Sequence, residues 1–513
     1  MINLIPAPVM LTFFGAAITL LFPRRPKVQR VVSILSLSAV LVIAGLFMWH
    51  TDRSGAMALW IGDWPVPLGI SLVADRLSAL MLLVASVVAL AVLIYSTGQD
   101  TGEIKRETPV SIFHPTFLLL MAGISNAFLA GDLFNMFVGF EIFLFASYVL
   151  LTLGGTRERI RAGTTYVVVS LLSSTLFLLS IAAVYAATGT INLAHLSIRL
   201  AELSEPVQLL LQAMLLVTFG IKAAVFPLFS WLPDSYPTAP APVTAVFAGL
   251  LTKVGIYAII RTQTLLFPKS PLSDLLMVAA LCTMVLGILG ALAQVEIKRM
   301  LSFTLVSHLG YMVFGISLAS HAGLSATIYY TAHHITIQAA LFLVTGLIER
   351  HGGTSKLDGL GGLLKVAPLL AVLFFVPAMN LGGIPPLSGF LGKIGLLDAG
   401  AQHGGWLVWV VMAGGLATSL LTLMAMAKVW NRAFWGVAPS TIQARLDDDY
   451  DGDAGDDDQR VMPPLMAFAT SALIAFSLAL TVFAGPLYSY SERAADSVRS
   501  ENYVRAVFPG GVR

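Results

Sequence analysis

The sequence LLVTFGIKAAVFPLFSWLPDSYPTAPAPVTAVFAGLLTKVGIYAIIR, at residues 215–261, decides the fold class of this chain. Two apolar segments flank a proline-rich interruption, and each contains one lysine, Lys222 in the first and Lys253 in the second. A lysine in the hydrocarbon core of a membrane is energetically costly, and where it occurs it usually has a function. A third lysine, Lys393, follows another interruption. The stretch therefore predicts membrane helices that carry functional charges inside the membrane.

The composition places the chain among polytopic α-helical membrane proteins. Of its 513 residues, 57% are hydrophobic and 11% are charged, whereas soluble proteins have about 25% charged residues. Apolar runs of helical length recur throughout the sequence. A formal net charge of +2 without a basic run does not indicate a nucleic-acid partner. The single cysteine, Cys282, excludes an internal disulfide, a cysteine-ligated cluster and a zinc finger.

The apolar runs predict fourteen transmembrane spans with both termini outside. Most Lys and Arg residues fall in the connections after odd-numbered spans, and positively charged connections remain cytoplasmic. The basic segment 23–30 follows the first apolar run instead of preceding it, so that run is predicted to be a span and not a signal peptide. The spans are predicted at 2–22, 31–49, 72–96, 113–131, 132–153, 163–187, 207–232, 243–266, 273–293, 300–320, 324–348, 366–398, 406–430 and 462–487.

Three segments are predicted to lie outside the membrane. Residues 50–71, which contain Gly, Pro and Trp, indicate a short hairpin against the outer face. The sequence LDDDYDGDAGDDDQR at 446–460 lacks the closing glutamate of a calcium-binding loop, and we expect a solvated acidic loop. The tail after Tyr490 is polar, and we expect partial order at best.

Two spans are interrupted, span 7 by FPLFSWLPDSYPTAPAP (226–242) and span 12 by NLGGIPPLSGFLGK (380–393). The backbone groups freed by such breaks need partners from neighbouring helices or water, so the breaks belong inside the protein or along a wet cavity. Their separation by five spans predicts two inverted five-helix repeats, spans 4–8 and 9–13. The predicted organisation is an N-terminal three-helix segment (1–112), a first repeat (113–267), a second repeat (268–435), an acidic cytoplasmic loop (436–461), and a C-terminal helix and tail (462–513).

Seven ionisable side chains are predicted to share one depth in the membrane. At about 1.5 Å per helical residue, Glu141, His308 and His333 each lie about 13 Å into their spans. Lys253 lies about 16 Å into span 8. Since the hydrocarbon core is about 30 Å thick, these positions are close to its midplane. The predicted row, which we interpret as a proton path, consists of Glu141, Lys222, Lys253, His308, His333, His334 and Lys393.

Glu141 is the only acidic residue deep in a predicted span, and Lys222 is its natural partner because contact between them favours the charged form of both. A static ion pair that locks spans 5 and 7 is the alternative, but it leaves Lys253 and Lys393 without acidic partners. The histidines could instead form helix–helix hydrogen bonds or ligate a haem. We expect a proton relay that needs neither a cofactor nor a metal ion.

Other polar residues of the spans have less specific interpretations. Asp132 is predicted to cap a helix. For Asp234, capping and an aqueous access site for protons remain open. The hydroxyl residues of span 6 are expected to pack helices together rather than to line a water wire. They are Ser170, Ser173, Ser174 and Thr175.

Three motifs resemble a known family: GDLFNMFVGFEIFLFASYVLL (131–151), the segment 219–261, and GGIPPLSGFLGK (382–393). They are similar to the antiporter-like subunits shared by respiratory complex I and the Mrp multisubunit sodium/proton antiporters. The surroundings of Glu141, the SYPTAPAP break and LLTKVG around Lys253 most resemble the Mrp D-type subunit, and the chain length agrees. The resemblance implies fourteen helices, an inverted five-helix repeat and obligatory partner subunits.

The resemblance also implies roles for individual residues. By position, Glu141 corresponds to the family's span-5 glutamate and Lys222 to its span-7 lysine. Lys253 corresponds to the central span-8 lysine, and Lys393 to the span-12 lysine. Either His333 or His334 corresponds to the histidine usually found in span 11.

The expected function is a proton-translocating subunit of a multisubunit Na⁺(K⁺)/H⁺ antiporter in the cell membrane, which is a secondary transporter and not an enzyme. Its expected partners are other Mrp-type subunits, monovalent cations, protons and the lipid bilayer, and no nucleic acid. One alternative is an antiporter-like subunit of an NADH–quinone oxidoreductase or a membrane-bound hydrogenase, which co-purifying redox subunits would reveal. Another is a scaffold without conduction, which would keep transport intact after Lys253→Ala.

Overall fold

A computed structural model describes residues 1–64, 66–99, 110–268, 270–439, 462–498 and 501–508. The acidic loop predicted for 436–461 lies outside the described residues from position 440 onward. The described chain is mainly helical, with one two-stranded antiparallel sheet.

Twelve helices of the described ranges are long and apolar enough to cross a membrane. The two predicted spans missing from this set, 7 and 12, are each divided into shorter helices, labelled a and b. Two short helices, Leu193–Arg199 and Leu363–Val366, lie in connections. The remaining helices are α1 (Ala7–Leu21), α2 (Pro26–Ser54), α3 (Arg76–Thr97), α4 (Val110–Leu129), α5 (Leu133–Thr152), α6 (Arg157–Thr188), α7a (Glu205–Lys222), α7b (Trp231–Ser235), α8 (Ala241–Leu266), α9 (Ser273–Leu292), α10 (Ile297–Ser317), α11 (His321–Gly352), α12a (Pro368–Gly382), α12b (Ser388–His403), α13 (Trp406–Phe434), α14 (Pro464–Val482), α15 (Ala484–Val498) and α16 (Glu501–Val507).

Both breaks are partly exposed, at Pro227 and at Pro385–Pro386, and neighbouring helices provide partners for their backbone groups. In the first break, the Phe226 N–H donates to the hydroxyl of Thr283 on α9, at 3.0 Å. In the second, the Ser388 N–H donates to the hydroxyl of Thr481 on α14, at 2.9 Å. Interrupted membrane helices persist where such partners replace the lost helical bonds.

Two helices at the centre carry three of the seven ionisable residues predicted for the membrane. Helices α8 and α11 are buried along the whole of their most apolar stretch, whereas α1, α2, α13 and α14 are largely exposed. Lys253 lies on α8, and the adjacent pair His333–His334 lies on α11. Water and lipid therefore reach these side chains only through gaps between helices.

The hairpin predicted within 50–71 is present, with a second strand that extends slightly further. Strands β1 (Met57–Trp60) and β2 (Ser71–Ala74) pair antiparallel, with Met57 opposite Ala74. The hairpin is attached to the helices where the Gly131 N–H donates to the Ser71 carbonyl, at 2.8 Å.

Helices α15 and α16 form part of the tail for which the sequence predicted partial order at best. Tyr490 donates a hydrogen bond to the carbonyl of Arg76 at 2.9 Å, and Ala494, Ala495 and Val498 are buried. Apolar residues recur on one side of α15, and this side packs against α3 and α11. The polar composition of the tail reflects only its opposite, exposed side.

A buried ion pair connects several of these elements, and the sequence did not indicate it. The Arg261 guanidinium on α8 donates two hydrogen bonds of 2.6 Å to the two carboxylate oxygens of Asp75, which caps α3. Its Nε donates to the hydroxyl of Tyr257, at 3.0 Å. The Tyr503 ring of α16 lies 5.2 Å from the guanidinium. The tail thus shields the pair from solvent.

Candidate functional site

Glu141 and Lys222 are linked through a serine hydroxyl and not by the direct contact that the sequence predicted. The Ser174 Oγ of α6 donates a hydrogen bond to the Glu141 Oε1. The Lys222 Nζ donates to the same Oγ at 3.1 Å, and it lies 3.4 Å from the Ser170 carbonyl oxygen. Within the described ranges, no carboxylate oxygen lies within 4.0 Å of the Lys222 Nζ. The interaction that spans 5 and 7 were expected to form is therefore a three-residue bridge.

A small cavity lies beside Lys222 and faces α8. Its volume is about 10 Å³, and its lining includes Tyr166, Ser170 and Leu251. A cavity of this size and polarity can hold about one water molecule. Because Leu251 belongs to its lining, the cavity extends from Lys222 to the helix that carries Lys253, although Lys253 itself does not line it.

Lys253 is completely buried and interacts with backbone rather than with a carboxylate. Residues Phe247–Leu251 form a π-helical turn within α8. The Lys253 Nζ donates to the carbonyl of Ala248 in that turn, at 2.6 Å. Single π-helical turns inside α-helices are frequent at functional sites because they alter local hydrogen bonding.

Two histidines and a tyrosine form a cluster between α10 and α11. The His308 Nδ1 and the Tyr330 hydroxyl are 2.6 Å apart, and the His308 and His334 rings are 5.1 Å apart. Within the described part of the chain, the His308 Nε2 and both ring nitrogens of His334 are buried without a hydrogen-bond partner. Lys253 and Lys393 both lie within electrostatic range of this cluster. The cluster is therefore located between the lysine of α8 and that of α12b.

The second break places Lys393 beside His333. The Lys393 Nζ donates to the carbonyls of Leu381 and Gly382, at 3.1 and 3.2 Å, and so caps the end of α12a. The His333 Nδ1 lies 2.9 Å from the Ser388 Oγ, at the start of α12b. A buried lysine held by backbone carbonyls and close to imidazoles can take up or release a proton without losing a fixed ion-pair partner.

The two aspartates lie outside this row. Asp132 caps α5, where its carboxylate accepts a 2.6 Å hydrogen bond from the Asn135 N–H, as predicted. Asp234 lies in the first turn of α7b, and its exposed carboxylate pairs with Arg299 at 2.8 Å.

The family described as "NADH:quinone oxidoreductase/Mrp antiporter, TM" matches residues 130–422. The N-terminal region of complex I chain 5 matches residues 60–98. The D-type subunit of the Na⁺/H⁺ antiporter of Alkalihalophilus pseudofirmus is 38% identical over 97% of this chain and 97% of that protein. The chain belongs to the NADH:quinone oxidoreductase/Mrp antiporter family.

Further similarities lie on the Mrp side of this family. The D-type subunit of the Na⁺/H⁺ antiporter of Bacillus subtilis is 36% identical, over 86% of this chain and 88% of that protein. A chain in the structure of the Mrp complex from Dietzia sp. DQ12-45-1b is 31% identical, with a TM-score of 0.87 and coverage of 99% of both chains. The predicted resemblance to Mrp D-type subunits is thereby confirmed, and the Mrp-family chain is a multi-pass membrane protein.

Sequence reasoning missed the uncharged side chains that connect the ionisable ones in this Mrp-family protein. Ser174 was interpreted as packing, and Tyr330 and Ser388 were not assigned a role. One signal was available for Ser174, because the four-residue spacing of Ser170 and Ser174 places both hydroxyls on one side of a helix. The other two residues depend on contacts between helices, which spacing within one helix does not show.

Asp132, which lies between α4 and α5, gives a prediction about stability. Burial raises the pKa of its carboxyl to about 6, although backbone N–H groups, that of Asn135 first, act to lower it. The ordinary pKa is about 3.9. The folded protein therefore holds this proton more tightly than the unfolded chain, and the free energy of unfolding falls as the pH rises from about 4 to beyond 6.

Asp132→Asn keeps a capping side chain but cannot ionise. We expect it to raise the stability of the protein at about pH 8 by up to about 3 kcal/mol, and to change it little at about pH 4. Thermal unfolding of the purified protein at both pH values measures this difference. An equal effect at both would show that ionisation of Asp132 is not its cause.

Proposed function

We propose that this Mrp-family chain is the proton-translocating subunit of a multisubunit monovalent cation/proton antiporter. The observation that carries the proposal is the succession of buried ionisable groups, from Glu141 on α5 to Lys393 on α12b. Hydrogen bonds, ring contacts or electrostatic interactions connect each group to a neighbour, except between Lys222 and Lys253. The cavity beside Lys222 reaches α8 at Leu251, and we infer that water entering there would join the two halves.

The proposed path begins at Glu141, passes Ser174 to Lys222, and crosses the small cavity to Lys253. It then continues through His334 and His308, and through His333, to Lys393. Lys253 and Lys393 have no carboxylate within 4.0 Å among the described residues. The charge of each lysine therefore depends on whether the ionisable groups on either side are protonated. Each lysine can therefore release its proton when a neighbour becomes charged.

We propose that both histidines of α11 take part, in different steps. His334 lies next to His308 and within electrostatic range of Lys253. His333 contacts Ser388 and lies within range of Lys393. We infer that His334 exchanges protons with the α8 lysine and His333 with the α12b lysine.

We also propose fourteen membrane crossings, with inverted repeats at 113–267 and 268–435 and both termini outside. The divided pairs α7a–α7b and α12a–α12b supply the two crossings beyond the twelve long helices. The similar role of a threonine hydroxyl at each break supports the repeat. Contacts of α16 with β1, and of β1 with residues Ile2–Leu4, support a common face for the termini.

The surroundings of Glu141 support a partner subunit on the outer side of α5. Phe134, Phe145 and Val149 are 44%, 58% and 41% exposed, and Glu141 lies half-buried among them. A carboxylate facing lipid at this depth is costly. We infer that another subunit of the antiporter covers this face of α5.

His334→Gln in the complete complex tests the proposed function. The variant keeps a polar side chain but removes the imidazole ring of His334. In the described chain, this ring both contacts the His308 ring and lies within electrostatic range of Lys253. We expect Na⁺- or K⁺-dependent proton transport, measured with a pH-sensitive dye in everted vesicles, to fall by about 100-fold.

His351→Gln is the matched control, because His351 is a buried histidine of the same helix that bonds to the Leu347 carbonyl at 3.0 Å. It should transport normally. Undiminished transport by His334→Gln, or co-purification of redox-centre subunits with the chain, would contradict the proposal.

A further inference from the structure

Ser174 differs from the other hydroxyl residues of α6. Thr175 and Ser180 donate to carbonyls one turn earlier in their own helix, and Ser173 donates to the Thr218 carbonyl of α7a. Such bonds to backbone are the usual state of serine and threonine in helices. The Ser174 hydroxyl instead bonds to two ionisable side chains, Glu141 and Lys222.

This hydroxyl is in a protected position. Ser174 is 6% exposed, and it lies between a half-buried carboxylate and a buried ammonium. A hydroxyl has one proton to donate and two lone pairs that accept. Ser174 can therefore accept from the ammonium and donate to the carboxylate at the same time, as the observed bonds require.

We propose that the Ser174 hydroxyl is the relay through which the proton passes between Glu141 and Lys222. This inference rests on the proposed function. The bridge carries a proton in either direction, and transfer from Glu141 to Lys222 reverses the following bond changes. When the proton moves from Lys222 to Glu141, the Lys222 N–H bond breaks as a new Oγ–H bond forms, and the original Oγ–H bond breaks as an Oε–H bond forms on Glu141. The products are a neutral amine, a neutral carboxylic acid and an unchanged serine, so protons and electron pairs balance without another reactant.

The geometry explains why a serine and not a direct ion pair occupies this position. A direct contact stabilises both charges and holds the proton on the lysine. With the Ser174 hydroxyl between them, the ammonium of Lys222 and the carboxylate of Glu141 are further apart. The ion pair and the neutral pair of amine and carboxylic acid are therefore closer in free energy. Rotation of the hydroxyl then resets the bridge for the next proton.

Ser174→Ala tests the inference in the complete complex. We expect cation-dependent proton transport in everted vesicles to fall by about 100-fold, the lower range of what a positioned proton-transfer group contributes. Ser174→Thr keeps the hydroxyl and should restore most of the activity. Ser173→Ala removes the neighbouring buried hydroxyl, whose partner among the described residues is the backbone carbonyl of Thr218, and should transport normally.

Infrared difference spectroscopy provides a readout that a packing role would not change. The carboxyl band of Glu141, assigned with Glu141→Gln, should shift in Ser174→Ala and keep its position in Ser173→Ala. Normal transport by Ser174→Ala, or failure of Ser174→Thr to restore transport in a normally assembled complex, would overturn the inference.

Transport by Lys253→Ala distinguishes a failure of this inference from a failure of the proposed function. If Lys253→Ala abolishes transport while Ser174→Ala does not, the function stands and the serine bridge fails. If Lys253→Ala also transports normally, the function fails as well.

Discussion

Replacing Lys253 with alanine is expected to abolish cation-dependent proton transport while the complex still assembles. Lys253 is completely buried on α8, its ammonium contacts the Ala248 carbonyl, and it lies within electrostatic range of His308 and His334. Without it, the predicted path has no proton acceptor between the cavity beside Lys222 and the histidine cluster. Everted vesicles that contain the complete complex provide the measurement.

Assembly should survive because a buried ammonium without a carboxylate partner does not stabilise the fold. Transfer of such a charge from water into the protein is unfavourable, and its removal eliminates this cost. The amount of complex recovered by affinity purification, together with its elution from a sizing column, measures assembly. Loss of the complex along with transport would indicate a structural role instead.

Lys253→Arg and Thr252→Val complete this experiment. Arginine keeps the positive charge but does not release a proton near neutral pH, so we expect Lys253→Arg to be as inactive as the alanine variant. The Thr252 hydroxyl is buried without a partner in the described structure, so Thr252→Val should transport normally. An active arginine variant would show that a fixed charge suffices and would contradict the relay.

Replacing Asp75 with asparagine is expected to cause the largest loss of stability. The carboxylate accepts both 2.6 Å hydrogen bonds from Arg261, and both side chains are 1% exposed. Removal of one member of a buried pair leaves an uncompensated charge, which costs about 3–5 kcal/mol. Since asparagine also caps helices, the start of α3 should remain intact, and the loss should come from the charge alone.

The thermal midpoint of the detergent-solubilised protein, followed by size-exclusion chromatography, measures this loss. Asp52→Ala is the matched control, because Asp52 pairs with Arg493 at a partly exposed site, at 2.7 Å. Exposed pairs contribute at most about 1 kcal/mol. The double variant Asp75→Asn/Arg261→Gln should recover part of the stability, and no recovery would show that unpaired charge is not the cause.

The sequence alone determined the class of fold and the positions of the candidate charged groups. Apolar runs with few charges can fold only as membrane helices, since backbone polar groups find no partners in lipid. Clustered prolines and glycines at 226–242 and 380–393 remove several helical hydrogen bonds within a few residues, so the two breaks were predictable. The capping role of Asp132 followed from its position directly before an apolar run.

Only the tertiary structure decided which groups touch. Ser174 between Glu141 and Lys222, Tyr330 beside His308, and Ser388 beside His333 are contacts between helices. The pair formed by Asp75 and Arg261 joins residues separated by 186 positions. Helical periodicity fixes the face on which a side chain lies, but the neighbour on that face depends on how the helices pack. Since a proton moves only between groups that are in contact directly or through water, the packing of the helices determines the order of the groups in the proposed path.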